Sequence, residues 1–244
     1  PLGNGGHGIL VQDTLSRPNT IGGRDQGAGN TIAFNQGDGI RVQKAAQNSI
    51  LRNSVLANKG MGIDLGGDGV TMNDPEDLDT GANELQNFPT IATVTVATGS
   101  TKVEGVLVSK PGTAFRLEIF GNAESQPTRV QGEKFLGLAD VTTDAQGQAP
   151  FTVNLSEASA NITATATDPQ GNTSEFSRPF LLVNTTGDES DRSGDEVCDV
   201  DPATPGNQCT LRAAIQFANA QPGKHSIAFA IPGTGLPVIA VTTP

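Results

Sequence analysis

The feature that most constrains this chain is an internal repeat. NTIAFNQGDGI, Asn30 to Ile40, returns as NSVLANKGMGI, Asn53 to Ile63, at an offset of 23 residues. Asn30 matches Asn53, Ile32 matches Val55, Asn35 matches Asn58 and Gly39 matches Gly62. Shorter echoes, NTIGG at Asn19 and NSILRN at Asn48, fill the gaps, and Ile9 in GGHGILV precedes Ile32 by the same step. A unit this short buries its apolar face only against its neighbours, so the copies must stack as a solenoid. It is too short and too rich in Gly and Asn for paired helices. A β-branched residue between polar ones predicts a short strand. Asn predicts left-handed corners and a hydrogen-bonded ladder from copy to copy.

The run GNGGHGI, NTIGG, GNTIAFN resembles the parallel β-helix repeats of bacterial secreted proteins. That resemblance implies a right-handed parallel β-helix over residues 1–89. Parallel β-helices often cut polysaccharides, and Gly6-His7-Gly8 is similar to the GHG triplet of polygalacturonases, with Arg41 as the basic residue downstream. Glycoside hydrolysis needs a pair of carboxyl groups. No Asn-Thr-Asp or Asp-Asp precedes His7, so the expectation is a turn histidine and no catalytic residue.

After Ile63 the repeat gives way to acid. From Gly60 to Thr101 there is no Lys or Arg, yet Asp64, Asp68, Asp74, Glu76, Asp77, Asp79 and Glu84 fall in that window. Carboxylates so crowded repel one another unless something positive is shared between them. Asp77-x-Asp79-x-Gly81-x-Asn83 sets oxygen side chains on alternate residues with Gly at the bend, which suits Ca²⁺ and its shell of oxygens. Asp64, Asp74 and Asn87 are the further predicted ligands. No helices flank the loop and its Gly is one place short, so it is not an EF-hand. A solvated acidic linker is the alternative.

From Ile91 the texture is that of half-buried strands. Phe115, Leu117 and Ile119 alternate with Arg116 and Glu118, and Phe151, Val153 and Leu155 with Thr152 and Asn154. Turn signals KPGT, TDAQGQ and TDPQGNTSE separate them. About seven strands over residues 90–184 predict an immunoglobulin-like β-sandwich. Its sequence is similar to the sandwiches that follow such β-helices. Asp168, Asn172 and Glu175 form a second candidate cation set, for which turn capping is the equal alternative. Glycan-binding faces usually stack sugars on Trp or Tyr; this chain has neither.

Residues 185–244 open with a polar linker. Cys198 and Cys209 close a short polar loop with no third soft ligand nearby, which predicts a disulfide and an oxidising compartment. CTLRAAIQFANAQPG predicts a short helix capped by Thr210, with Leu211, Ile215 and Ala218 on one face and Pro222-Gly223 as the stop. This stretch resembles the CSLREA domain of bacterial surface proteins in Cys209, Leu211, Arg212 and Ala214. Ala213 replaces the Glu of that pattern. SIAFA and PVIAV beyond it predict strands opening a further β-helix.

A formal charge of −11 disfavours nucleic acid and anionic membranes. No apolar run of about eighteen residues predicts a membrane span. PLGNGG reads as the middle of something already begun, so the chain is expected to be a piece of a longer protein. The combined reading is an all-β, secreted or cell-surface structural or adhesive module. It is expected to be Ca²⁺-stabilised and to join other copies of itself head to tail. A polysaccharide lyase or hydrolase and a glycan-binding module are the alternatives, with extracellular polysaccharide as the other partner.

Overall fold

The computed structural model describes residues 2–12, 18–123, 130–177, 181–192, 198–201, 208–220, 227–229, 231 and 236–242. It is predominantly β, with one α-helix among the described residues. Two compact units divide the chain: Pro1–Glu124 with Arg129–Ser177, and Ser125–Thr128 with Arg178–Pro244.

The first unit begins with seven strands of three or four residues: β1 (Ile9–Val11), β2 (Asn19–Gly22), β3 (Thr31–Ala33), β4 (Ile40–Val42), β5 (Asn48–Leu51), β6 (Ser54–Leu56) and β7 (Ile63–Leu65). They pair in parallel as three small sheets, β1-β4-β7, β2-β5 and β3-β6. The repeat sets the register: Ile32 aligns with Val55 and Ile40 with Ile63. The first step differs. Ile9 aligns with Ile40 and not with Ile32, and Asn19 aligns with Asn48, so the spacing there is 31 and 29 residues. Which apolar residues must face inward decides register, and spacing along the chain yields to it. Ile21, Ile32, Ile40, Val42, Ile50, Val55, Ile63 and Leu65 accordingly fill one core.

The Asn ladders form as expected. Asn30 and Asn35 each donate backbone N–H and side-chain amide to the Oδ1 of Asn53 and Asn58, at 2.7 to 3.1 Å. The left-handed corners, however, lie one residue earlier, at Phe34, Gln47, Arg52 and Ala57, with φ between 52 and 63°. Each immediately precedes a ladder Asn. An Asn whose own N–H and side chain both point along the stack must be reached through the turn. The preceding residue therefore takes the conformation that disfavours a Cβ by about 1–2 kcal/mol.

Six longer strands follow: β8 (Thr90–Ala97), β9 (Ser100–Val108), β10 (Ala114–Asn122), β11 (Lys134–Thr142), β12 (Gln148–Leu155) and β13 (Asn161–Thr167). They make two antiparallel sheets, β12-β9-β8 and β11-β10-β13. β12 alternates between buried and exposed residues along its whole length, as its sequence predicts. β10 does not. Glu118, expected on a solvated face, is 0% exposed. The reason is that both faces of β10 are covered: Phe120, with Val130 and Phe176, enters the core of the parallel sheets.

In the second unit β14 (Leu181–Val183) pairs in parallel with β15 (Ile227–Phe229), and α1 (Leu211–Ala220) packs beside β14. Cys198 and Cys209 form the expected disulfide. Thr210 caps α1, its Oγ1 accepting the Ala213 N–H at 3.0 Å. The buried face of the helix is Ala213, Ala214 and Phe217, while Ile215, expected on one face with Leu211 and Ala218, is 45% exposed. Phe217 presents more apolar area than the Ile215 face and turns the helix one stripe around. Arg212 grips Asp188 through two hydrogen bonds of 2.9 and 3.1 Å, so the linker supplies the acid that Ala213 lacks. Pro237 to Val241, expected as a strand, is irregular. The predicted helix stop at Pro222-Gly223 lies outside the described residues. No helix among the described residues is long and apolar enough to cross a membrane.

Candidate metal centre

Asp74, Asp77 and Asp79 are brought together by two short 3-10 turns, Pro75–Asp77 and Ala82–Leu85. Both turns run through left-handed backbone, at Glu76, Asp77, Asn83, Glu84 and Leu85. Side chains hold that unfavourable path. Asn87 accepts the Asp74 N–H on its Oδ1 and donates its amide to the Asp74 and Val108 carbonyls. Asn83 donates to the carbonyls of Asn48 and Thr173 and accepts from the Asn48 N–H, so it extends an Asn ladder.

One oxygen from each of the three aspartates lies within 4.8 Å of the others. Asp77 is 1% exposed; its two oxygens accept the Asn87 N–H at 2.9 Å and the Ser109 hydroxyl at 2.7 Å. Oδ2 of Asp74 accepts the Leu78 and Asp79 N–H groups. Oδ1 of Asp74 and Oδ1 of Asp79 are closed to solvent and have no hydrogen-bond donor. Burial pushes the Asp77 carboxyl above its ordinary pKa, against the pull of Ser109 and Asn87. Burial first, then the charges of Asp74 and Asp77, push Asp79 up as well. Lys110 opposes both shifts without overcoming either. A buried carboxylate oxygen with no donor is costly unless a proton or a cation meets it. The donor set is oxygen only, which suits a hard ion such as Ca²⁺ and not Zn²⁺.

The other predicted ligands fall elsewhere. Asp64 is not among the converging oxygens; its Oδ2 accepts Arg41 at 2.9 Å and its Oδ1 accepts the Gly67 and Gly69 N–H groups. Arg41 also donates from Nε to Asp38 at 2.7 Å, so one guanidinium lies between two buried acids. Burial, then the Asp38 charge, raises the Asp64 pKa, and Arg41 opposes that. This pair of acids stands near His7, whose Nδ1 accepts the Asp38 N–H at 3.0 Å. The remaining Asp38 oxygen accepts the Met61 N–H. Each carboxylate oxygen of Asp38 and Asp64 thus accepts at least one hydrogen bond.

The second predicted set serves the backbone. Asp168 accepts the Asn172 N–H and side-chain amide, and Asn172 accepts the Gln47 N–H at 2.6 Å. Glu175 accepts Leu65 N–H and Thr71 N–H, each at 3.0 Å. It is 1% exposed, and burial drives its pKa up to about 8. These contacts belong to a larger pattern that the sequence did not reveal. The edge of the parallel sheets is closed by residues after Pro89. Glu118 accepts the Arg52 N–H, Gln131 the Asn58 N–H and Thr173 the Ile50 N–H, and Val55 bridges to Gly132.

Comparison of the chain with protein-family models finds no match, and neither does comparison with curated proteins.

Proposed function

We propose that the seven short strands are coils of a right-handed parallel β-helix and that the two antiparallel sheets are an immunoglobulin-like sandwich closing its edge. On this reading the chain is a Ca²⁺-stabilised structural or adhesive module of a secreted or cell-surface bacterial protein, joined head to tail to further copies. The repeat, the parallel register and the Asn ladders support the β-helix. The disulfide fits an oxidising compartment. The resemblance of Cys209 to Ala214 to the CSLREA domain supports the surface location.

One observation carries the Ca²⁺ reading: two solvent-closed, donorless oxygens, on Asp74 and Asp79, beside the buried Asp77. A structural role is favoured for the Asp38–Arg41–Asp64 group because one guanidinium pairs both acids and each acid also accepts backbone N–H groups of the neighbouring turns. The test is thermal melting of the chain in chelator and in Ca²⁺. Melting should fall in chelator and recover in Ca²⁺, and Asp77→Ala with Asp79→Ala should remove the response. Identical melting in both conditions would refute the ion.

A further inference from the structure

We propose that residues 66–72, between β7 and the aspartate trio, form a flap that Glu175 holds shut until it loses a proton. The two ends of this loop are fixed without Glu175. Gly66 donates its N–H to the Val42 carbonyl, and Asn73 exchanges hydrogen bonds of 2.8 and 3.0 Å with Phe88. Between those ends, carboxyl groups do most of the holding. Asp64 accepts the Gly67 and Gly69 N–H groups at 3.1 and 3.4 Å, and the Thr71 hydroxyl donates to the Leu65 carbonyl at 3.2 Å. Glu175 takes the Leu65 N–H on one oxygen and the Thr71 N–H on the other, so it ties the foot of the loop to its far side. Gly66, Gly67 and Gly69 lie at φ of 86 to 94°, a backbone that glycine adopts freely.

The latch is an acid in a setting that suits only its neutral form. Glu175 is buried, and its hydrogen-bond partners are two backbone N–H groups. The charged groups that bear on it from β7 and from the loop are Asp64 and Asp68, both acids. Arg41 on β4 is already shared between Asp38 and Asp64. Residues 172–177, which carry Glu175, include no other titratable side chain. Such a carboxyl stays enclosed as the neutral acid and seeks water once ionised. Burial accordingly drives its pKa up to about 8, from an ordinary 4.5 that it regains when the loop opens. Strands β4 and β7 are held by a backbone ladder, whereas the glycine loop has none, so the loop is the segment whose release costs least. Opening releases a proton at any pH between those two values. The open fraction therefore rises about tenfold per pH unit from about pH 4.5 to about pH 8 and levels off above it.

Hydrogen exchange of the full chain in chelator, read by NMR across that pH range, tests the flap without any part for Ca²⁺. Rates are corrected for the intrinsic, base-catalysed exchange of each amide. The Gly67, Gly69 and Thr71 amides should exchange faster than the Ile40 amide, which donates to Gly62 within the parallel sheets. Their opening should also grow about tenfold per pH unit. Glu175→Gln keeps the latch neutral, so the same amides should stay faster than Ile40 but lose that dependence on pH. Gly69→Ala adds a Cβ that meets nothing within 4 Å, on a backbone at φ of 94°. It should strain the closed loop alone and raise its opening about tenfold at every pH. Loop amides that exchange only as fast as Ile40 throughout would overturn the flap, since the loop would then open only with the whole fold. An equal pH dependence in wild type and Glu175→Gln would overturn Glu175 as the latch. Should Glu175→Gln not fold, wild type alone decides, and loop opening that is flat with pH refutes the proposal.

Discussion

Two groups of crowded aspartates stand in the first unit, and the fold treats them in opposite ways. Asp38 and Asp64 share Arg41, and every one of their oxygens accepts a hydrogen bond. Asp74, Asp77 and Asp79 share no guanidinium, and two of their oxygens meet no donor at all. The difference follows from position in the repeat. Arg41 and Asp64 occupy equivalent places in β4 and β7 and align directly in the parallel register. The aspartate trio lies beyond the last repeat, where no stacked partner can reach across. Inside the stack, charge is balanced by neighbouring copies; outside it, balance has to come from an ion or a proton.

Glu175 breaks that simple contrast and gives the largest expected effect. It has neither a basic partner nor an accessible surface, only two backbone N–H groups, so it is resolved by a proton. Its folded pKa of about 8 lies above the ordinary 4.5, raised by burial and by the charges of Asp64 and Asp68. Between those values the folded form holds a proton that the unfolded chain has released. Glu175's contribution to stability is therefore full below about pH 4.5 and declines as pH rises to about 8, by on the order of 5 kcal/mol in all. Urea unfolding of wild type and Glu175→Gln at several pH values checks it. The two proteins should be nearest in stability below about pH 4.5, and Glu175→Gln should become steadily the more stable of the two as pH rises to about 8; a constant difference would show that Glu175 does not titrate there.

Arg41→Ala attacks the balanced group. It leaves two buried carboxylates facing each other, a loss of about 3 kcal/mol. Because the trio is separate, the response of melting to Ca²⁺ should be unchanged. A destabilisation that Ca²⁺ repairs would mean that the two groups form one site.

The unbalanced group gives a somewhat smaller effect of opposite character. Ca²⁺ at a hundredfold excess over its dissociation constant should raise stability by about 2.7 kcal/mol. Asp79→Asn should abolish that gain yet make the ion-free protein more stable than wild type, since it removes a repelling charge. Titration calorimetry reads the first effect and melting in chelator the second. An ion-free Asp79→Asn protein less stable than wild type would show that the repulsion is not there.

Much of this was legible in the sequence, and the residues show why. The 23-residue offset placed β3 on β6 and β4 on β7, because stacking identical units leaves no other register. The same offset carries Arg41 onto Asp64, so that ion pair is readable from the repeat alone, although Arg41 lies outside the acid-only window. The crowding of Asp74, Asp77 and Asp79 was also visible as local spacing. What stayed hidden depends on contacts far apart in the chain. Glu118 alternates correctly for a solvated face, and only the covering of that face by the parallel sheets makes it a buried acceptor for Arg52. Gln131 and Glu175 carry no local mark of closing an edge more than seventy residues away. The left-handed corners were misplaced by one residue because Asn tolerates that backbone, and tolerance was mistaken for use.

The smallest effect separates charge from shape in the balanced group. Arg41 reaches Asp38 through Nε at 2.7 Å and Asp64 through Nη2 at 2.9 Å, two donors held apart by one rigid plane. Arg41→Lys keeps the positive charge but offers a single ammonium centre, which cannot occupy both places. If charge alone matters, the variant should equal wild type. If the two-pronged geometry matters as well, one carboxylate loses its donor while the net field is kept, for a loss of about 1 kcal/mol. With the opposing pull of the guanidinium gone, Asp64, already raised by burial, would hold a proton more readily, so the deficit of Arg41→Lys should be greatest near neutral pH and smaller in acid. Unfolding measured at acidic and neutral pH decides it. A variant as unstable as Arg41→Ala would mean that shape dominates, and the comparison with the ion site would then rest on donors reaching each oxygen, with charge secondary.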